Sequence, residues 1–195
     1  MGKCRVIGWF GVLVGVGLMA ADAWAFSVSY DQQMTQGRSV YQSKVVLKDQ
    51  RFRMDMTAQG QAMMIIHNAE GTYTVMPSEH MAMKTPQLHP GQGPVKGASD
   101  YAQYLQQQHA EKIGSDTIEG HACDLYRYTD SETGELTTVW VWKDKMFPLK
   151  FEIEAKQGKT LIELSNIQLG AAISDDVFQL PAGIQVMDMG NMMGM

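Results

Sequence analysis

Hydrophobic and polar residues alternate regularly along residues 136–169, and this pattern predicts three consecutive antiparallel strands joined by short turns. In the middle strand, residues 148–154, Leu149, Phe151 and Ile153 fall on one face and charged residues fall on the other. Such a period of two is typical of a strand with one buried face. The segment therefore predicts a sheet around which the rest of the chain is organised.

The first of these strands, residues 137–143, is apolar on both faces, because Val139 and Val141 alternate with Trp140 and Trp142. Exposure of either face to water would be unfavourable. A second layer of structure, a partner or a bound apolar molecule must therefore cover both.

Strand patterns recur along the rest of the chain, with one helix between them. The helix is predicted over residues 100–112, with Ser99 as its N-cap and a narrow apolar stripe that includes Tyr104. A loop rich in proline and glycine precedes it at residues 85–97. The other strands are predicted at residues 26–35, 38–48, 51–56, 62–67, 72–76, 80–84, 117–119, 122–129, 159–169 and 184–187.

About ten strands in meander order with one interposed helix predict a mainly β (α+β) fold. We expect a curved antiparallel sheet that forms an open half-barrel, with the helix packed on it. Strands that are apolar on both faces indicate a concave interior that the side chains alone leave partly empty. A cavity for an apolar ligand is therefore expected.

The N-terminus has the pattern of a cleavable secretory signal. Lys3 and Arg5 precede an uncharged apolar run, and Ala23 and Ala25 occupy the positions that a signal peptidase reads. Cys4 comes before the run, which excludes the lipid-modified cysteine of a lipoprotein. We expect residues 1–25 to be removed by cleavage after Ala25 and the mature protein to be periplasmic.

The mature chain is predicted to be one domain over residues 26–186, followed by a flexible Met/Gly-rich tail at residues 187–195. It has no stable transmembrane segment once the signal is removed. Loss of Lys3, Arg5 and Asp22 changes the net charge from −5 to −6, and this acidic balance argues against nucleic acid as a partner.

Three segments resemble a family of uncharacterised bacterial envelope proteins that is related to the LolA/LolB-like superfamily of lipoprotein carriers and RseB-like sensors. They are residues 113–126, the tryptophan strand at 138–142 with 147–150, and residues 176–183. The resemblance covers roughly residues 26–186. It implies an unclosed β-barrel over a helix, and a lipid or the acyl chain of a lipoprotein as the ligand.

This chain differs in two features from the lipoprotein carriers of that superfamily. The carriers use several helices as a lid, whereas the pattern here predicts one. They also latch the lid with an arginine, and in this chain Arg38, Arg51 and Arg53 are all candidates.

The predicted cavity lining combines the large apolar residues of the alternating strands. Strand parity defines two faces and leaves open which of them is concave. The predicted lining residues are Phe52, Met54, Met64, Ile66, Trp140, Trp142, Phe151 and Ile162.

The high methionine content supports an alternative function, the binding of Cu(I) in the periplasm. Fourteen of the 16 methionines remain after signal cleavage, and thioethers are soft ligands suited to Cu(I). Methionine also lines adaptable apolar cavities, which the lipid hypothesis predicts equally. The predicted metal ligands are His80, Met81, Met83, Met189, Met192, Met193 and Met195.

The sequence predicts no enzyme and no cofactor. Gly-x-Ser-x-Gly, phosphate-binding-loop and His-Glu-x-x-His motifs are absent. His121 and Cys123 lie two residues apart on one strand face, but no neighbouring residue is predicted to orient a base. A third hypothesis is a module of the envelope whose sheet surface binds a protein partner.

Overall fold

A computed structural model of the chain describes residues 26–58, 60–85, 98–131, 133–156 and 158–188. The predicted signal segment, most of the predicted loop at 85–97 and the tail from residue 189 lie outside the described residues. The Ser99 side chain, the predicted helix cap, also lies outside them. Every structural statement below concerns the described residues.

Twelve strands and one α-helix make up the described part of the chain, close to the arrangement predicted from the alternation. The helix is α1 (Ala98–Gln107). The strands are β1 (Ser27–Gln36), β2 (Ser39–Lys48), β3 (Arg51–Ala58), β4 (Gln61–Asn68), β5 (Gly71–Met76), β6 (Met81–Thr85), β7 (Glu111–Ile118), β8 (His121–Thr129), β9 (Leu136–Trp142), β10 (Phe147–Ala155), β11 (Gly158–Leu169) and β12 (Gln185–Asp188). Short 3₁₀ helices occur at Pro77–Glu79 and Asp175–Phe178.

All twelve strands belong to one sheet, in the order β12-β6-β5-β4-β3-β2-β1-β11-β10-β9-β8-β7. The chain forms two meanders, β1 to β6 and β7 to β11, and the pairing of β1 with β11 joins them. Among the described strands, neighbours are antiparallel except β12, which runs parallel to β6. Short hairpin loops set most of the registers, as a meander requires.

The helix is shorter than predicted, and this prediction was wrong at its C-terminal end. α1 ends at Gln107, because His109 adopts a left-handed conformation with φ of 51°. The amide of Ala110 then donates to the carbonyl of Leu105 at 2.9 Å, the bond that closes a Schellman-type cap. Glu111 and Lys112, predicted as helix, instead begin β7.

The buried apolar residues form two clusters. The larger one joins α1 to the central strands through Tyr101 and Leu105, which are buried against residues such as Tyr128 and Val139. The smaller one consists of Ile66, Tyr73, Val75 and Ala82 on β4 to β6, and Leu180 and Ile184 pack against it. No helix in the described ranges is long and apolar enough to span a bilayer.

Candidate functional site

The two faces of the sheet are distinguished by the cross-strand partners of residues that pack against α1. Tyr128 contacts Tyr104 of α1 with ring centroids 5.9 Å apart. Residues paired across strands share a face. The cross-strand partners therefore identify which residues of each strand, from β8 to β2 and beyond, lie on the same face as Tyr128. We call this side, which includes Tyr30 and Val45, the helix face, and the other side the opposite face.

The predicted cavity residues divide equally between these faces. Phe52, Met54, Phe151 and Ile162 lie on the helix face, whereas Met64, Ile66, Trp140 and Trp142 lie on the opposite face. One cavity on one side of the sheet can therefore be lined by only one of these sets of four. The alternation within each strand was predicted, but the alignment between strands was not.

The opposite face of β3 to β5 is covered by residues 171–184, a segment between β11 and β12 that we call the strap. Its 3₁₀ helix contacts β3 and β4 and buries Phe178, which is 1% exposed. Leu180 and Ile184 of the strap pack against the small cluster that contains Ile66. The chain itself therefore closes this side of the three strands around Ile66 and Val75.

Cations of β2 and β3 hold the strap in place. Lys48 Nζ lies 2.7 Å and Arg51 Nη1 lies 2.9 Å from Asp175 Oδ1. The hydrogen bonds from these two cations lower the pKa of the Asp175 carboxyl to about 2. Lys48 Nζ also donates to the carbonyl of Ile173 at 2.9 Å, and the Arg51 guanidinium lies 5.4 Å from the Phe178 ring centroid.

Arg53 and Asn68 bind the strap backbone. Arg53 Nη1 donates to the carbonyl of Val177 at 3.1 Å, and Asn68 Nδ2 donates to that of Phe178 at 3.0 Å. Two of the three predicted latch arginines, Arg51 and Arg53, thus fasten the strap with its 3₁₀ helix and not α1. Arg38 is exposed at the turn between β1 and β2.

The helix face of β3 to β6 is rich in methionine. Met56 is the cross-strand partner of Met63, and Met76 is the partner of Met81. Because Met64 pairs with Val75, the register also places Met63 opposite Met76. All four are half-buried. We call Met56, Met63, Met76 and Met81 the methionine row.

A second apolar row runs beside the methionine row on the same face. It passes from Val45 through Met54, Ile65 and Thr74 to Met83 and Met187. Val45 is fully buried, Met54 to Met83 are half-buried, and Met187 at the edge is 39% exposed. The helix face therefore continues from a filled core near α1 to a partly accessible apolar surface.

Three buried side-chain polar atoms on or facing the helix face have no hydrogen-bond partner among the described residues. They are Tyr30 Oη, Tyr101 Oη and Gln32 Oε1. Burial raises the pKa of the Tyr30 and Tyr101 hydroxyls, which therefore remain protonated. Tyr30 packs its ring on Phe147 in a T-shaped arrangement, with centroids 6.1 Å apart. A buried hydroxyl without a partner is unfavourable by itself, so each is a potential donor to a bound group.

A groove of about 530 Å³ lies mainly on the opposite face, at the end of β1 to β4 away from the strap. Its lining is largely polar and includes Asp31, Lys44 and Asp55. Of the predicted cavity residues, only Met64 lines it. The groove thus differs in composition from the apolar cavity that the sequence predicts.

His121 and Cys123 are poorly placed to act as a base and a nucleophile. The His121 ring stacks on Trp142 with centroids 4.1 Å apart, and Cys123 Sγ donates to the His121 carbonyl at 3.3 Å. Burial raises the pKa of the Cys123 thiol, which disfavours the reactive thiolate. Trp140, on the same face, donates through Nε1 to Asp116 Oδ2 at 3.0 Å.

The predicted copper ligands are only partly described. Met81 and Met83 lie on the helix face of β6, whereas His80 is exposed at the end of the 3₁₀ helix with φ of 52°. Met189, Met192, Met193 and Met195 lie outside the described residues. No cluster of three or more His, Cys, Asp or Glu side chains suited to a metal occurs among residues that the structure describes.

Sequence reasoning missed Met56, Met63, Ile65 and Met76 as members of the candidate surface. The hairpin loops contained the signal that could have found them. A loop of two residues, Ala69 and Glu70, makes Asn68 the partner of Gly71, and counting back from this pair aligns the two strands.

A family model described as "Domain of unknown function (DUF4412)" matches residues 28–146, which is more than half of the chain. No curated protein matches the chain by sequence. The prediction that the chain belongs to a family of uncharacterised proteins is confirmed.

Solved structures with low sequence identity share the fold. An uncharacterized conserved protein from Thermus thermophilus matches with a TM-score of 0.61 and 10% identity, over 83% of this chain and 90% of that chain. The MucA/MucB complex of Pseudomonas aeruginosa matches with a TM-score of 0.53 and 15% identity, over 83% of this chain and 58% of that chain. The prediction of a mainly β fold, with one helix on a large open curved sheet, is confirmed.

Proposed function

The chain belongs to the DUF4412 family, and from this premise and the geometry of the helix face we propose that it binds a hydrophobic ligand without catalysis, in the periplasm. The ligand class is a lipid or the acyl chain of a lipoprotein. In this proposal the curved sheet acts as a half-barrel, and the helix face is its hollow side.

The apolar surface on the helix face of β3 to β6 carries the proposal. Phe52, Met54 and Ile65 remain half-buried there, while the apolar cluster around Ile66 on the other side of these strands is covered by the strap. An apolar surface that the protein leaves accessible marks a binding site more often than an accident of packing. Methionine side chains suit ligands of variable shape because they are unbranched and flexible.

The unpartnered hydroxyls of Tyr30 and Tyr101 support a ligand with a polar end. Tyr30 follows the second apolar row directly, since it is the partner of Val45 and Val45 is the partner of Met54. An acyl chain on this row that reached Tyr30 would bring a carboxyl or ester oxygen to a buried donor. The hydrogen bond would remove the cost of leaving that hydroxyl unpaired.

Binding of a fluorescent fatty acid by the purified mature protein tests the proposal. Ile65→Lys places a charge on the helix face and should weaken binding at least tenfold. Ala62→Lys is the control, because Ala62 is exposed on the opposite face of the same strand. Thermal melting establishes that both variants fold.

Native mass spectrometry provides a second readout. A lipid that copurifies with the mature protein and is removed by organic extraction is the expected result. A clean apo mass together with no uptake of the fluorescent probe would refute the proposal.

A protein partner is a second candidate function, favoured by one specific observation. Strand β7 is an edge of the sheet, and residues 111–117 along it are exposed, with Ile113 43% exposed. An exposed edge can accept another strand, and one structural neighbour is a MucB structure solved in complex with MucA. Capture of a stoichiometric partner from envelope extract, lost in Ile113→Glu, is the expected result, whereas equal capture by that variant would exclude this edge.

A further inference from the structure

The methionine row concentrates one chemical group in a way that apolar packing alone does not require. Met56, Met63, Met76 and Met81 occupy directly opposed positions on four adjacent strands. Leucine or isoleucine at these half-buried positions would give a similar apolar area. Unlike leucine or isoleucine, methionine provides a sulfur lone pair, and all four positions of the row have one.

We propose that the methionine row binds one soft monovalent metal ion, Cu(I), through thioether sulfurs. This inference is independent of the lipid-binding proposal. Thioethers favour Cu(I) over hard cations and over zinc, whose sites use thiolate, imidazole and carboxylate ligands. Silver(I) has the same charge and is similarly soft, which makes it a suitable probe.

The spacing of the row suits a shared ion. Side chains directly opposite each other in an antiparallel pair have Cβ atoms about 4.5–5.5 Å apart. A methionine sulfur is two bonds beyond Cβ and can rotate. The sulfurs of two or three adjacent members can therefore turn towards one ion, because neighbouring strands lie about 4.8 Å apart. The row lies between Ser43, the partner of Met56, and Gln185, the partner of Met81, and neither flanking residue carries a charge that would repel a cation.

The row also differs from the ligand set predicted from the sequence. That set combined His80, Met81 and Met83 with the C-terminal methionines. Of that set, only Met81 belongs to the methionine row. Met83 lies two residues further along β6, in the second apolar row, where it is diagonally opposite Met76. The proposed site therefore consists of the three antiparallel pairs of the row, Met56 with Met63, Met63 with Met76 and Met76 with Met81.

Titration of the full mature protein under anaerobic conditions tests the assignment, with Cu(I) held by a competing chelator and with Ag(I) in parallel. We expect one ion per chain for the wild type. Replacement of the row by leucine, M56L/M63L/M76L/M81L, should weaken binding at least 100-fold. X-ray absorption should show sulfur in the first shell of the bound copper, a readout that a merely structural role would not produce.

Two matched variants make the test decisive. M34L/M64L/M146L removes methionines outside the row, including Met64, whose sulfur accepts from Arg53 on the opposite face, and it should change affinity less than threefold. M189L/M192L/M193L/M195L removes the tail sulfurs and should do the same.

The wild type failing to bind either ion with one-to-one stoichiometry would overturn the assignment, as would a row variant with unchanged affinity or a tail variant that loses the site. Because leucine conserves volume, the row variant should keep the fold. If it melts far below the wild type, the pairs M56L/M63L and M76L/M81L replace it, and each should weaken binding at least tenfold.

Discussion

Removing the hydroxyl of Tyr30 should make the protein more stable, although Tyr30 is one of its most buried residues. Tyr30 is 1% exposed, and its Oη has no hydrogen-bond partner among the described residues. Phenylalanine keeps the ring, its volume and its T-shaped packing on Phe147. The substitution therefore deletes an unpaired polar atom and leaves the apolar contacts in place.

The expected gain follows from the cost of burying a polar group without a partner. That cost is about 1–3 kcal/mol, relative to the hydrated hydroxyl of the unfolded chain. We expect Tyr30→Phe to raise the free energy of unfolding by about 1–2 kcal/mol, and each kcal/mol corresponds to about 2–4 °C in Tm for a domain of this size. Urea denaturation of the delipidated mature protein, with thermal melting, measures both quantities.

Tyr41→Phe is the matched control for this prediction. Tyr41 lies on the same face, on the neighbouring strand β2, but it is 45% exposed. Its hydroxyl can be hydrated, so this change should remain within about 0.5 kcal/mol. A Tyr30→Phe protein less stable than the wild type, beside an unchanged Tyr41→Phe protein, would refute the reasoning, because the Tyr30 hydroxyl would then have a partner such as a bound water.

Three further predictions concern the strap and the buried thiol. Phe178→Ala should lower the free energy of unfolding by about 3–5 kcal/mol, measured by urea denaturation, because Phe178 is almost fully buried under the strap; a loss below about 1 kcal/mol would show that the strap is not docked. The pKa of Asp175 is lowered to about 2, so its contribution to stability is complete above about pH 4 and is lost as the pH falls towards 2. The difference in Tm between wild type and Asp175→Asn should shrink over that window, and a difference constant from about pH 6 to about pH 2 would contradict the ion pairs with Lys48 and Arg51. Cys123 is fully buried and its thiol pKa is raised, so Ellman's reagent at about pH 8 should react with it slowly in the folded protein and rapidly in urea; equal rates would show that the thiol is accessible.

The architecture could be predicted because the strands are long and their alternation is local. Residues 148–154 show which of their side chains share a face without reference to any other strand. About ten such segments separated by turns predict a meander, and the observed β9 to β11 meander follows that prediction closely. The C-terminal end of the helix could not be predicted, because it depends on a left-handed His109. A histidine in that conformation leaves no signal in the sequence.

The candidate surface was only half predictable, because the face shared by two strands depends on their register. Phe52 and Met54 were combined with Met64 and Ile66, whereas the register pairs Met54 with Ile65 and places Met64 and Ile66 on the other face. A shift of one residue moves every side chain to the other face. The loop lengths in the sequence would have fixed this register for β3 to β5, whereas the pairing of β1 with β11 is a long-range contact that no local pattern contains.

The strap explains why the apolar surface of β3 to β6 remains on the helix face. Strands β4 and β5 have apolar residues on both faces, as the sequence predicts for β4, and each face needs a cover. Leu180 and Ile184 cover the opposite face and bury Val75 completely. The ion pairs of Asp175 fasten this cover at one end, and the pairing of β12 with β6 fastens it at the other. Since the strap covers the small apolar cluster on the opposite face, the apolar surface that these strands leave accessible lies on the side of the methionine row, for an acyl chain and for a metal ion alike.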